Sequence, residues 1–139
     1  MAVVVFDADV LIGFLGSQDV HYADAITRVR RALTPGTTRL ICSVNYSELL
    51  IGPLEKLGPE GARTVDDMLR RLAIEVVSVD VKLAQQAAAV RAQTKLKLPD
   101  SYALATALKA NRDGQTDVRI ETFDKRVIKA YETLDPRSP

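Results

Sequence analysis

Apolar residues along the chain change period repeatedly, and the changes mark alternating strands and helices. Val3-Val4-Val5-Phe6 is a continuous β-branched and aromatic run, the pattern of a strand buried on both faces. Val10, Leu11, Phe14 and Leu15 then recur at helical spacing, predicting a short helix that starts near Asp9. A second helix is expected from about Tyr22 to Leu33, closed by Pro35-Gly36, and a second strand over Arg39 to Cys42. Ser43 is the expected N-cap of a helix that runs to Leu57 and stops at Gly58-Pro59. Glu60 to Ala73 carries Val65, Met68, Leu69 and Leu72 on one helical face. Ile74 to Val79 is the third expected strand, and an alanine-rich helix follows from Val81 to Thr94.

Pro99 suits the first turn of the next helix, whose Ala103, Leu104, Ala107 and Leu108 face inward. After the polar, glycine-containing turn from Asn111 to Asp117 come a strand over Val118 to Thr122 and a helix from Asp124 to Tyr131. The tail, Asp135 to Pro139, is expected to fray, which leaves residues 1–134 as one domain without repeat or linker. Strands alternating with helices predict an α/β fold around a short, mostly parallel sheet of four to five strands, flanked by about seven helices. In such folds ligands sit beyond the carboxyl ends of the strands.

That rule gives particular acids a meaning. Asp7 and Asp9 follow the first strand, Asp124 follows the last together with Thr122, and Glu48 lies on the helix after the second. Asp100 opens a helix directly after Pro99. Converging unpaired carboxylates is unfavourable through repulsion and desolvation, and a hard divalent cation removes that penalty. Such a site can activate water and stabilise a phosphoryl transition state without histidine. Each acid also has a structural explanation. Asp100 suits the helix dipole, Asp124 can cap the last helix, and Glu48 can reach solvent or pair with an arginine.

Composition narrows the chemistry. With 139 residues, 47% hydrophobic and 27% charged, the chain has the make-up of a globular domain. Nineteen basic against 18 acidic residues leave a net charge of +1, which does not advertise a nucleic-acid binder. Cys42, alone and within an apolar run, excludes an internal disulfide and a multi-cysteine zinc site. His21 is the only histidine, which excludes a two-imidazole mechanism. The apolar stretch before Asp7 is too short for a signal peptide, and no run approaches the roughly 20 apolar residues of a membrane span. A cytosolic protein is expected.

Taken in order, these segments resemble PIN-domain proteins, and more narrowly VapC-type toxins, over nearly the whole chain. The motifs that carry the resemblance are Val4-Val5-Phe6-Asp7-Ala8-Asp9-Val10-Leu11, Ser43-Val44-Asn45-Tyr46-Ser47-Glu48-Leu49-Leu50, Leu98-Pro99-Asp100-Ser101-Tyr102-Ala103-Leu104-Ala105-Thr106-Ala107 and Thr122-Phe123-Asp124. The resemblance implies a PIN-like three-layer fold and an Mg²⁺- or Mn²⁺-dependent endoribonuclease, the toxin of a VapBC-type pair. It implies Asp7, Glu48, Asp100 and Asp124 around the metal, with Asp7 and Asp100 as primary ligands. Asp124 then holds a second metal or an outer-shell water, and Glu48 orients or deprotonates the attacking water. Thr122 is expected to donate to an acid or a phosphate oxygen.

The sequence departs from the family pattern at Asp9, where Asn, Ser or Thr is usual. Either it adds a metal ligand or it caps the following helix, and the cap is the favoured explanation. Lys95, Lys97, Lys125 and Arg126 neighbour the acids and are candidates for RNA phosphate contacts. Arg28 and Arg31 share a helix side with the choice open between RNA and an acidic partner segment. Expected partners are RNA, an antitoxin docking along the helices of Leu11–Leu33 and Val44–Leu57, and a second copy of the chain. Two rivals remain. One is a PIN-like binding module that cleaves nothing. The other is a haloacid-dehalogenase-type phosphatase, suggested by Asp7-Ala8-Asp9 but lacking the Gly-Thr pair and the later paired acids.

Overall fold

A computed structural model describes residues 2–114 and 117–135. Four strands pair, all in parallel, in the order β3-β2-β1-β4: β1 is Ala2–Phe6, β2 Thr37–Cys42, β3 Ile74–Val77 and β4 Asp117–Glu121. Seven helices connect them among the described residues: α1 Ala8–Leu15, α2 Tyr22–Ala32, α3 Ser43–Leu57, α4 Pro59–Arg71, α5 Val81–Thr94, α6 Leu98–Arg112 and α7 Lys125–Leu134.

The central strand explains the layering. Val3 and Val5 point into one core with Leu83, Val90, Leu104 and Val127, while Val4 and Phe6 point into the other with Leu11, Val29, Leu49 and Leu69. Helices α5, α6 and α7 therefore cover one face and α1 to α4 the other, the three-layer arrangement expected. Helix α6 is buried almost all round, and its Ala103, Ala105, Ala107 and Ala110 let its backbone come close to its neighbours. Helices α3 and α4 also pack closely, because a Cβ at Gly61 would fall 2.1 Å from the Pro53 carbonyl oxygen. That contact fixes the helix carrying Glu48.

Element boundaries shift in physically clear ways. Helix α1 begins at Ala8, with Asp7 rather than Asp9 as its N-cap. Cys42, not Ser43, stands at the N-cap position of α3 and provides no side-chain cap; its thiol is buried and free, as expected. Strand β3 ends at Val77 rather than Val79, since it lies at the sheet edge with β2 its partner among the described residues. Helix α7 extends to Leu134, because Val127 and Tyr131 pack into the core and Tyr131 donates to the Val118 carbonyl at 2.8 Å. Of the tail expected to fray, residues 136–139 lie outside the described residues. No described helix is long and apolar enough to cross a membrane.

Candidate active site

The carboxyl ends of β1, β2 and β4 open on the same edge of the sheet, and the acids gather there. Asp7 follows β1 directly, with its backbone N–H bound to the Glu121 carbonyl at 2.9 Å. Its side chain is only 4% exposed. One oxygen accepts from the Ala8 N–H at 2.8 Å and the other from the Thr122 hydroxyl at 2.9 Å. Burial, then the charge of Asp9 and that of Asp100, push Asp7 up to about 7, against the two hydrogen bonds. Asp9, in the first turn of α1, accepts from the Phe123 N–H at 2.9 Å, while its other oxygen is buried without a hydrogen-bond partner. The capping role expected for Asp9 is thus wrong. Asp7 takes the cap, and Asp9 instead ties α1 to the chain leaving β4.

Asp100 lies in the first turn of α6, raised by burial and by the charge of Asp124, with Lys97 and Arg126 opposing. Glu48 is raised by burial and by Asp100 and Asp9, while its bond from Asn45 opposes the shift. Asp124 caps α7 and is lowered, because Arg126 bonds it through both its backbone N–H at 2.8 Å and its guanidinium at 3.2 Å. Asp7, Asp9 and Glu48 therefore all feel the charge of Asp100, and Asp100 that of Asp124.

Supporting groups fix them. Thr122 is fully buried, and its hydroxyl donates to Asp7 while accepting from the Asp124 N–H at 3.1 Å, the role expected of it. Asn45, which the sequence did not single out, is fully buried and donates to Glu48 Oε1 and to the Pro99 carbonyl, both at 3.0 Å. It thereby links the helix of Glu48 to the helix of Asp100. Lys95, Lys97, Lys125 and Arg126 are all exposed near this edge, with Arg126 engaged by Asp124.

The donor set is oxygen-only. A buried, unpartnered Asp9 oxygen and a carboxyl pushed up to about 7 by burial and by its acidic neighbours both fit a hard divalent cation. Among the described residues no three acids, cysteines or imidazoles stand together closely enough to hold a metal ion by themselves. What fits this edge is a cation that keeps much of its water, as Mg²⁺ does.

The family model for the PIN domain matches residues 4–133 of the chain. The chain belongs to the PIN domain family. No curated protein matches it in sequence. Among solved structures it is similar to VapC20 of Mycobacterium tuberculosis, a sarcin–ricin-loop-cleaving toxin, with a TM-score of 0.69 at 15% identity over 91% of this chain and 94% of that one. It is also similar to VapBC-1 of nontypeable Haemophilus influenzae, at TM-score 0.67 and 14% identity over 95% and 94% of the two chains. A toxin–antitoxin complex from Klebsiella pneumoniae matches at TM-score 0.65 and 21% identity over 87% and 86%. At these identities the likeness is one of fold.

The sequence left the role of two arginines of this PIN domain open. Arg28 and Arg31 bind an acid of the chain itself, although Arg31 stays half exposed. They converge on Glu121, which is only 1% exposed, at 3.2 Å and 2.7 Å. Arg28 also donates to the Thr122 carbonyl at 3.0 Å and lies over the Phe123 ring, whose centroid is 4.9 Å from that of His21. The arginines thus hold the end of β4, and with it Thr122 and Asp124. Helical spacing put the two on one side, but their partner lies about 90 residues away and no local pattern marks it.

Proposed function

We propose that the chain is an Mg²⁺- or Mn²⁺-dependent endoribonuclease, the toxin of a VapBC-type toxin–antitoxin pair. The single observation behind this is that Asp7, Glu48, Asp100 and Asp124, the acids of the PIN motifs, lie near enough at one sheet edge for Asp100 to oppose the ionisation of Asp7 and Glu48, and Asp124 that of Asp100. In this reading Asp7 and Asp100 would hold the cation, Asp124 would hold it or one of its waters, and Asp9 would add its unpartnered oxygen. When bound, such a cation lowers the pKa of a coordinated water and neutralises charge on the phosphoryl group.

The chain's own residues do the rest. Asn45 occupies Glu48 Oε1, which leaves Oε2 to take the proton of the attacking water. The shift of Glu48 above its ordinary value brings its basicity closer to neutral pH, where a general base works best. Thr122 keeps Asp7 aimed at the site by holding one carboxyl oxygen.

The partner assignment follows from the neighbouring surface. A groove of about 760 Å³ runs between α1 and α3, lined by Ile12, Leu15, Leu49, Ile51 and Leu57, and it reaches Glu48. Ile51 and Leu57 are more than half exposed there. The groove lies between the helices expected to receive an antitoxin. It fits an apolar segment that places a basic side chain among the acids, and a second copy of the chain is the other expected partner.

Glu48→Gln keeps the shape of the side chain and removes the base. Its cleavage of a total-RNA pool is expected to fall at least about 100-fold with the melting temperature essentially unchanged. Wild-type rates from the folded variant would remove Glu48 from the chemistry. A wild-type chain that neither cleaves RNA nor takes up Mn²⁺ in a calorimetric titration would favour the binding-module alternative.

A further inference from the structure

Beyond Asp124, away from the groove, the end of α5, the α5–α6 loop and α7 enclose a second cleft of about 430 Å³. Lys95, Arg126 and Lys129 line it, and no acid is part of its described lining. Among the described residues neither Lys95 nor Lys129 is paired with a carboxylate. Lys97 and Lys125 lie outside the lining.

The loop that presents Lys95 is built in detail. Lys95 closes α5 in the left-handed conformation, with φ 64 and ψ 13, a position that usually falls to glycine. A lysine held there against its backbone preference needs surroundings that over-determine it. Arg91 supplies them, donating to the Lys95 carbonyl at 3.0 Å and to the Leu96 carbonyl at 2.6 Å. Ser101 donates to the Lys97 carbonyl at 3.0 Å, and the Leu96 N–H binds the Thr94 hydroxyl at 3.2 Å. The loop's carbonyl oxygens are thus spent on Arg91 and Ser101, and the unneutralised lysines face the cleft. A concave site whose charged lining is of one sign concentrates anions.

Arg126 connects this cleft to the acids, since it lines the cleft and also binds Asp124. A ligand with anionic groups at regular intervals can therefore span both. We propose that this cleft is a phosphate subsite for single-stranded RNA, holding the backbone next to the scissile bond through Lys95, Lys129 and Arg126. The proposal rests on the ribonuclease reading, from which it takes the acids as the place of cleavage. It adds Lys129 to the residues that position substrate.

The test uses a fluorescein-labelled 12-nucleotide single-stranded RNA and anisotropy titrations in Mg²⁺ over a salt series. All proteins carry Asp100→Asn so that the probe is not cut. Lys95→Gly and Lys129→Gln are each expected to weaken binding roughly 3- to 10-fold at low salt. Each should flatten the plot of log affinity against log salt by about 0.7, the value for one lost phosphate contact on a single strand. Lys95→Gly should not lower the melting temperature, because glycine prefers the left-handed conformation, so weaker binding cannot be put down to misfolding. Affinity and salt slope equal to the parent in both variants would overturn the subsite, even if the wild-type chain cleaves RNA normally. Failure of the wild-type chain to cleave RNA would instead overturn the functional reading. Tight binding of an acidic peptide that the two substitutions abolish, with RNA binding unchanged, would overturn the choice of RNA as occupant.

Discussion

Asp7→Asn is expected to stabilise the metal-free protein at pH 8 while reducing RNA cleavage at least about 1000-fold. The sign follows from Asp7 being pushed up to about 7 in the fold, chiefly by burial, against the ordinary 3.8. Between those values the folded chain binds a proton that the unfolded chain has released, so Asp7 makes the fold less stable as pH rises through this window. The difference between the two values corresponds to an upper bound of about 4 kcal/mol, of which roughly 1–3 kcal/mol is expected to be recovered by the neutral amide. Asparagine also fits the local bonds. It can still accept from the Ala8 N–H, and its amide can donate to Thr122, whose proton can then turn toward Asp9, 3.4 Å away. Urea unfolding in chelator at pH 5 and pH 8 checks the prediction. The wild type should lose stability between the two, the variant much less. A wild type with flat stability, or a variant destabilised at pH 8, would contradict the electrostatic account of the site.

Glu121→Ala is expected to destabilise the protein by about 2–4 kcal/mol and to lower cleavage without touching an acid of the site. Removing one member of a buried ion pair leaves charge without its partner, a loss of several kcal/mol when the partner cannot escape. Here Arg28 and Arg31 are 27% and 53% exposed, so they can turn toward water and the loss is discounted. What cannot be recovered is the clamp. Arg28 also holds the Thr122 carbonyl, and Thr122 holds Asp7 and the Asp124 N–H. Glu121→Gln should fall between wild type and alanine in both stability and rate. A Glu121→Ala chain within about 0.5 kcal/mol of wild type in urea, with normal cleavage, would show that the clamp does not support the site.

These two residues show where sequence suffices and where it stops. Asp7 was legible because a carboxylate directly after Val3–Phe6 interrupts a doubly buried strand at the ligand edge of a parallel sheet. Asp100, behind Pro99 at a helix start, and Asp124, behind β4, stood out for similar local reasons. Glu121 did not, since its burial depends on two arginines of α2 that reach it only through the fold. Asn45 passed as an ordinary polar helix residue, although its place three residues before Glu48 was a usable signal. Its second partner, the Pro99 carbonyl, was not visible from either neighbourhood. Asp9 was misjudged because two acids around one helix start compete for the same cap, and only the position of Phe123 decides which of them takes it.

The central claim is that these acids make a metal-dependent ribonuclease, and one assay reaches it directly. Purified, antitoxin-free protein is incubated with a total-RNA or tRNA pool in Mg²⁺, in Mn²⁺ and in excess chelator, beside Asp100→Asn. Discrete cuts are expected with a divalent cation, none in chelator and none from the variant. No cutting with either metal by a folded wild-type chain, or equal cutting by Asp100→Asn, would contradict that claim.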